Sequence, residues 1–292
     1  MGVAIIFIMA SHTLGGYAAY GIIGVEWFLV LSAIGLYYSL QKNSDVLSFY
    51  KRRLIRILPA YLIVAVPYFL IAYPFVFKDF MIRLTGLNLP YWGEKAFWFV
   101  TLIIICYLIA PFYFRIVNRY KHSYVIPFVL ALITFILAYH LPKTEILVTR
   151  IPVFLLGMNL AKGVYEDKVI TDGKKVKACY ALSVLAVLML LTIYIDGFGI
   201  ELVRLLYFFC AIPTLFFVLL VAKKTGFLSG VLAFIGTISY EIYLLHQKIV
   251  LAGCRMLPIP EALSIILSYI VAILLAYALH WVISKVIKPS AK

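Results

Sequence analysis

Apolar residues dominate this chain in ten stretches, at 2–15, 22–40, 54–77, 96–114, 124–141, 146–162, 178–196, 202–222, 228–256 and 262–284, separated by short polar connections. A helix that crosses a bilayer needs about 20 mostly apolar residues, so the pattern predicts an all-α, polytopic transmembrane bundle of ten spans. The first stretch is short, with only about 14 residues before Gly15-Gly16. The ninth is too long for a perpendicular span, and is expected to tilt or to break near Gly236. No internal repeat is evident. Gly226 and Gly230 form one GxxxG pair, a weak sign of close helix packing.

Composition sharpens this picture. Hydrophobic residues make up 65% of the 292 positions and charged ones 13%, against about 45–50% and about 25% in soluble domains. A soluble fold and a disordered chain are both excluded, and 17 glycines exclude a collagen-like repeat. The spans leave no room for a separate soluble domain, so residues 1–292 read as one membrane domain. Twenty-two tyrosines, 21 phenylalanines and four tryptophans suit aromatic belts at both interfaces. The formal charge of +14 would fit a nucleic-acid binder, but its distribution points elsewhere. Lys42, Lys51, Arg52 and Arg53; Arg115, Arg119 and Lys121; Lys162, Lys168, Lys174, Lys175 and Lys177; Lys223 and Lys224; and Lys285, Lys288 and Lys292 all fall on one side if the spans alternate. The opposite connections carry only Lys78, Arg83, Lys95 and Lys143. By the positive-inside rule the basic side is cytoplasmic, with both termini inside and the lipid bilayer, not nucleic acid, as partner. Cys106, Cys179, Cys210 and Cys254 lie in apolar stretches without metal-ligand spacing, so no metal is expected. Met1 to Met9 has no basic region ahead of it and Ala10-Ser11-His12 is a poor cleavage site, so no cleavable signal peptide is expected.

Ionisable groups inside spans cost about 2.5–3.5 kcal/mol each at a helix centre, so they mark candidate chemistry. His12 lies near the end of span one and Glu26 near the start of span two; Arg56 is in span three, Arg150 in span six, Glu201 and Arg204 in span eight, and Glu241 and His246 in span nine. Each has a structural reading: helix-bridging histidines, an interfacial carboxylate, snorkelling stop-transfer cations, and an i,i+3 pair of Glu201 with Arg204. Two constellations say more. His12 and Glu26 flank one short connection, so antiparallel helices can bring them together, and a neutral imidazole oriented by a carboxylate can accept a hydroxyl proton. Lys51, Arg52, Arg53 and Arg56 place four cations in six residues, where guanidinium forks suit phosphates. A base on one side and a phosphate cradle on the other point to a group delivered by a phosphorylated cofactor.

Several stretches, in order along the chain, resemble the membrane acyltransferase family often called acyltransferase 3. Gly2-Val3-Ala4 leads through an apolar run to His12, and Gly24-Val25-Glu26-Trp27-Phe28-Leu29-Val30-Leu31-Ser32-Ala33 is similar to the family's Gly-Val-Asp-Xaa-Phe-Phe-Val-Leu-Ser-Gly. Arg53-Leu54-Ile55-Arg56-Ile57-Leu58-Pro59 matches its Arg-Xaa-Xaa-Arg-Ile-Xaa-Pro, and Ser239-Tyr240-Glu241-Ile242-Tyr243-Leu244-Leu245-His246 its late Ser-Tyr-Xaa-Xaa-Tyr-Leu-Xaa-His. Trp98-Phe99, Tyr107-Leu108 with Pro111, and Arg150 followed by Phe154-Leu155-Leu156-Gly157-Met158 resemble the fourth and sixth spans.

This resemblance implies an integral membrane O-acyltransferase of the short, membrane-only form, in the plasma membrane. It would transfer an acyl group, usually acetyl, from acetyl-CoA or another acyl-CoA to a hydroxyl of a cell-surface glycan or lipid-linked sugar. His12, oriented by Glu26, would be the base, and Arg52, Arg53 and Arg56 would hold the CoA phosphates. Ser32, Tyr240 or Arg150 would stabilise the oxyanion, and His246 is the reserve candidate for the base. Three departures from the family stand out: Met1 at the place of its first-span Arg, Glu for Asp at Glu26, and Ala for Gly at Ala33. The short first span and the missing Arg lead to the expectation of a native start upstream of Met1. Two rival classes are a transporter of a polar or acylated solute, which would show inverted repeats and broken helices at matching positions, and a catalytically impaired member of the family.

Overall fold

The computed structural model describes residues 1–13, 15, 18–166, 181–186, 188–189, 200–224 and 226–286, and only the backbone at 18–20, 200–201, 223–224 and 226–229. Among the described residues every regular element is helical. In chain order these are α1 (Gly2–Ser11), α2 (Ala18–Lys42), α3 (Val46–Ala72), α4 (Phe77–Leu84), α5 (Asn88–Trp92), α6 (Trp98–Arg119), α7 (Val125–His140), α8 (Glu145–Val148), α9 (Ile151–Tyr165), α10 (Ile200–Lys224), α11 (Gly226–Thr237), α12 (Ser239–Leu245), a π-helical turn (His246–Leu251), α13 (Ala252–Arg255) and α14 (Glu261–Val286). Residues 181–186 are also helical, and the rest of the expected seventh span lies mostly outside the described residues.

Among the described residues, six stretches are long and apolar enough to cross a membrane: Gly21–Lys42, Val46–Ala72, Trp98–Arg119, Glu145–Tyr165, Leu202–Ala222 and Glu261–Val286. At 1.5 Å rise per residue, the 22 residues of Trp98–Arg119 cover about 33 Å, enough for a hydrocarbon core of about 30 Å. Gly2–Ser11 and Val125–His140 are apolar but shorter. The expected first span is therefore a helix of only 10 residues that ends at Ser11. The expected ninth span breaks at Ile238, between α11 and α12, and then relaxes into the π turn. Large side chains such as Ile63, Leu70, Phe112, Leu132 and Leu274 are exposed on the outside of the bundle, the arrangement a lipid solvent allows.

Local chemistry fixes several ends. Asp45 caps α3 by accepting from the Ser48 N–H at 3.0 Å. At the start of α6 the Phe99 N–H, otherwise orphaned, donates to the Tyr243 hydroxyl at 3.1 Å. The loop after α4 is tied by Arg83, which grips Glu94 through two bonds of 3.0 and 2.9 Å and stacks over Tyr73 and Trp92.

Helix α2 is central, packing most extensively against α1 and α9. Without a hydrophobic drive between helices in lipid, close backbone approach must come from small residues. Gly24 and Gly157 supply it: a Cβ at Gly24 would sit 2.5 Å from the Ala4 carbonyl oxygen, and one at Gly157 would sit 2.9 Å from both the Ala33 Cβ and the Val30 Cα. These two contacts draw α1 and α9 onto opposite parts of α2, which brings His12, Glu26 and Arg150 into one region.

Candidate active site

Two cavities share the walls of the same helices, one toward the Met1 end of α1 and one toward its His12 end. The first, of about 240 Å³, is lined by Met1, Ser32, Arg53, Arg56, Tyr107, Ser239 and Tyr240, among others. The second, of about 180 Å³, is lined by Ser11, His12, Lys95, Arg150, Arg204, Tyr243, His246 and Lys248, among others. Phe99 lines both. Its ring meets Phe28 edge-on at 5.6 Å and tilts against Tyr243 at 5.3 Å, so an aromatic cluster lies where the two cavities share a wall.

In the cavity at the Met1 end, Arg56 donates to Glu241 at 3.0 Å and to the Thr237 carbonyl at 3.1 Å. Glu241 is fully buried and also takes the His280 Nδ1 at 2.9 Å, so it holds Arg56 in place from behind. Arg53 lies over the Phe49 ring at 5.4 Å, and its buried Nε has no partner among the described residues. The two guanidiniums are three residues apart and share a helix face. Arg52, one residue before Arg53 and so about 100° around the helix from it, is exposed and does not line this cavity. Of the three arginines expected to act together, Arg53 and Arg56 line this cavity.

The cavity at the His12 end holds two imidazoles. His12 is the C-cap of α1, and its ring centroid lies 5.3 Å from that of His246, with planes inclined by 35°. The Nδ1 of His246 faces the carbonyl oxygens of Ile242 and Tyr243 at 3.1 and 3.0 Å. Carbonyls only accept, so Nδ1 carries the proton and Nε2 keeps its lone pair. That buried Nε2 has no partner among the described residues. The π turn begins at His246; such turns reset the facing of side chains and cluster at functional sites. It places His246, Gln247 and Lys248 together on the cavity wall.

Glu26 does not orient His12. Its carboxylate pairs with Arg150 Nε at 3.2 Å, both side chains being almost wholly buried. Arg150, the N-cap residue of α9, also donates to the Ile146 carbonyl at 3.0 Å and lies 4.9 Å from the Trp98 ring. The reason is electrostatic: a buried carboxylate gains more from a fixed guanidinium than from a neutral imidazole, and the α2–α9 contact puts one within reach. A second pair sits beside it, Arg204 Nε to Glu145 at 3.1 Å. Arg204 was expected to pair with Glu201, whose side chain lies outside the described residues. Ser32 and Tyr240 are in the other cavity, and the Tyr240 hydroxyl donates to the Ile57 carbonyl at 3.1 Å. Of the three expected oxyanion donors, only Arg150 shares a cavity with His12.

Sequence reasoning passed over Lys248 and His280, although both stand inside apolar runs and met the criterion that singled out His246. Tyr243 was marked only by the late Ser-Tyr motif, and Lys95 and Glu145 gave no comparable signal, because each belongs to the site only through folding. Among the described residues no group of histidines, cysteines and carboxylates could hold a metal ion.

Comparison with known proteins agrees with this helical, membrane-type architecture. A family described as an acyltransferase domain matches residues 2–284, nearly the whole chain. No curated protein and no solved structure matches it.

Proposed function

The chain belongs to this acyltransferase family, and from that premise we propose that it is a ten-pass plasma-membrane O-acyltransferase, with both termini cytoplasmic. It moves an acyl group, most simply acetyl, from acyl-CoA to a hydroxyl of a cell-surface glycan or lipid-linked sugar. The observation that carries this reading is the pair of cavities that share Phe99, one presenting two guanidiniums and the other two imidazoles.

Acyl-CoA enters from the cytoplasmic side, where Arg53 and Arg56 take its phosphates through charge-assisted bonds. His12 lies about 16 Å along the helix from Met1, at 1.5 Å per residue, a distance that an extended pantetheine arm spans. The acceptor occupies the other cavity. His12 takes the acceptor proton as the hydroxyl oxygen attacks the thioester carbonyl. The carbon–sulfur bond then breaks, and the proton passes to the departing CoA thiolate. Arg150, held by Glu26, and Arg204, held by Glu145, supply the positive field in which the oxyanion forms. His246, which lines the same cavity and whose buried Nε2 has no partner among the described residues, is the second group able to hold the proton.

The reading is tested with purified protein in lipid nanodiscs, acetyl-CoA and an extract of cell-envelope glycans. His12→Ala is expected to remain folded and to lose transfer by about 10²–10⁴-fold, the range of one general base. Retained turnover would remove His12 from the base role and leave it to His246. Arg53→Gln is expected to raise the KM for acetyl-CoA and to weaken CoA binding more than dephospho-CoA binding, with Lys42→Gln as the control. Equal small effects at both positions would return Arg53 to a lipid-snorkelling role.

A further inference from the structure

The cavity that holds His12 is lined by cations without a facing carboxylate. Lys95, Arg150, Arg204 and Lys248 all reach it, and among the described residues no Asp or Glu lines it. The carboxylates that balance the two arginines are Glu26 and Glu145, and the buried Nη1 of Arg204 has no partner among the described residues. The two lysines are exposed, line the cavity and make no hydrogen bond or ion pair among the described residues. Neither position is what a membrane chain would place there by default. Lys248 interrupts an apolar helical run, where an ammonium is costly. Lys95 belongs to the cation-poor side of the sequence. Of the other cations on that side, Arg83 is committed to Glu94 and Lys143 to the Tyr91 carbonyl.

We infer that the acceptor is anionic, with a carboxylate or a phosphate close to the hydroxyl that is acylated. This rests on the assignment of the His12 cavity to the acceptor, made above. The anion sits between Lys95 and Lys248 and toward the Arg204 guanidinium, which line the same cavity, and this brings its neighbouring hydroxyl to the imidazoles. A neutral sugar would leave these cations uncompensated. The donor does not need this site, because its phosphates are met by Arg53 and Arg56 at the other end.

The test offers three small acceptors to the nanodisc protein with acetyl-CoA: methyl glucoside, methyl glucuronide and glucose 1-phosphate. At least one anionic sugar is expected to be acetylated with a kcat/KM about tenfold or more above the neutral one, the worth of one charge-assisted bond. Which anion wins separates a carboxylate acceptor from a phosphorylated one. Lys95→Gln with Lys248→Gln should erase the preference through the acceptor KM, and added salt should narrow it. Equal turnover of all three sugars would overturn the inference while leaving the acyltransferase reading intact. A rise in the acetyl-CoA KM of the lysine variants, with the acceptor KM unmoved, would also overturn it and assign the cations to the donor. If none of the sugars is turned over, binding of the glucuronide and the sugar phosphate is measured directly. Anion binding lost in the double variant sustains the inference, and absence of anion binding overturns it.

Discussion

At the scale of single residues, the buried charges divide into those that hold others and those that face the cavities. Glu26 belongs to the first kind, since its carboxylate is spent on Arg150. Breaking a buried ion pair by removing one partner leaves an uncompensated charge and costs about 3–5 kcal/mol. Glu26→Gln is therefore expected to lower the unfolding temperature of the detergent-solubilised protein, and Glu26→Gln with Arg150→Met to recover much of it. A Glu26→Gln variant as stable as the parent, with activity alone reduced, would restore Glu26 to the catalytic group. The identity of these residues was legible in the sequence because charge inside an apolar run is expensive. Their partners were not. Positions 26 and 150 meet only through the packing of α2 on α9, and proximity along the chain pointed instead from Glu26 to His12. The proton position on His246 was equally hidden, because it follows from two carbonyls that its own helix turns toward it.

At the scale of helices, apolar run length located the elements well, since a helix is the only way for an isolated segment to satisfy its backbone in lipid. It did less well where a run is not one straight helix. The long ninth stretch contains most of α11, a break at Ile238, α12, the π turn and α13; a break near Gly236 was one of two readings, beside a tilt, and the π turn was in neither, because it leaves no mark in hydropathy. Close crossings were also invisible as pairs, although their glycines could be read individually. The α2–α9 crossing depends on Gly157 facing Val30 and Ala33, and α9 carries Arg150 at its first turn. Gly157→Val should push the two helices apart by the width of its side chain and cost about 1–3 kcal/mol, the usual range for overpacking. It should also weaken the Glu26–Arg150 pair. The expected readout is a lower yield of monodisperse protein and a lower unfolding temperature, whereas Gly35→Val, on the same α2 but in open space, should change neither. Equal behaviour of the two variants would mean that the crossing tolerates a side chain and that another contact sets the spacing.

At the scale of the whole molecule, the proposed donor and acceptor cavities share one lining residue, Phe99. Phe99 lines both cavities and is pressed between Phe28 and Tyr243, while its backbone N–H is fixed by the Tyr243 hydroxyl. This side chain is held from both directions at the place where an acyl group would have to pass. A thioester reaching this point must meet the acceptor hydroxyl before it meets water, since excluding water is what prevents hydrolysis of a reactive acyl donor. Phe99→Ala removes the divider and joins the two spaces. The expected consequence is a loss of coupling rather than a simple loss of rate: free CoA should continue to appear, while the fraction of acyl groups recovered on the acceptor falls severalfold. Phe99→Leu, which keeps an apolar plug, should stay closer to the parent. Because buried Phe→Ala changes typically cost about 3–5 kcal/mol, the comparison is made on the folded fraction, with CoA release and acylated product measured in the same sample. If the ratio of product to CoA in Phe99→Ala equals that of the parent, water is kept out by other walls, and the ring serves packing between α2, α6 and α12 instead. If the ratio falls in Phe99→Ala and holds in Phe99→Leu, the aromatic layer is the seal between the compartment of the phosphates and the compartment of the imidazoles.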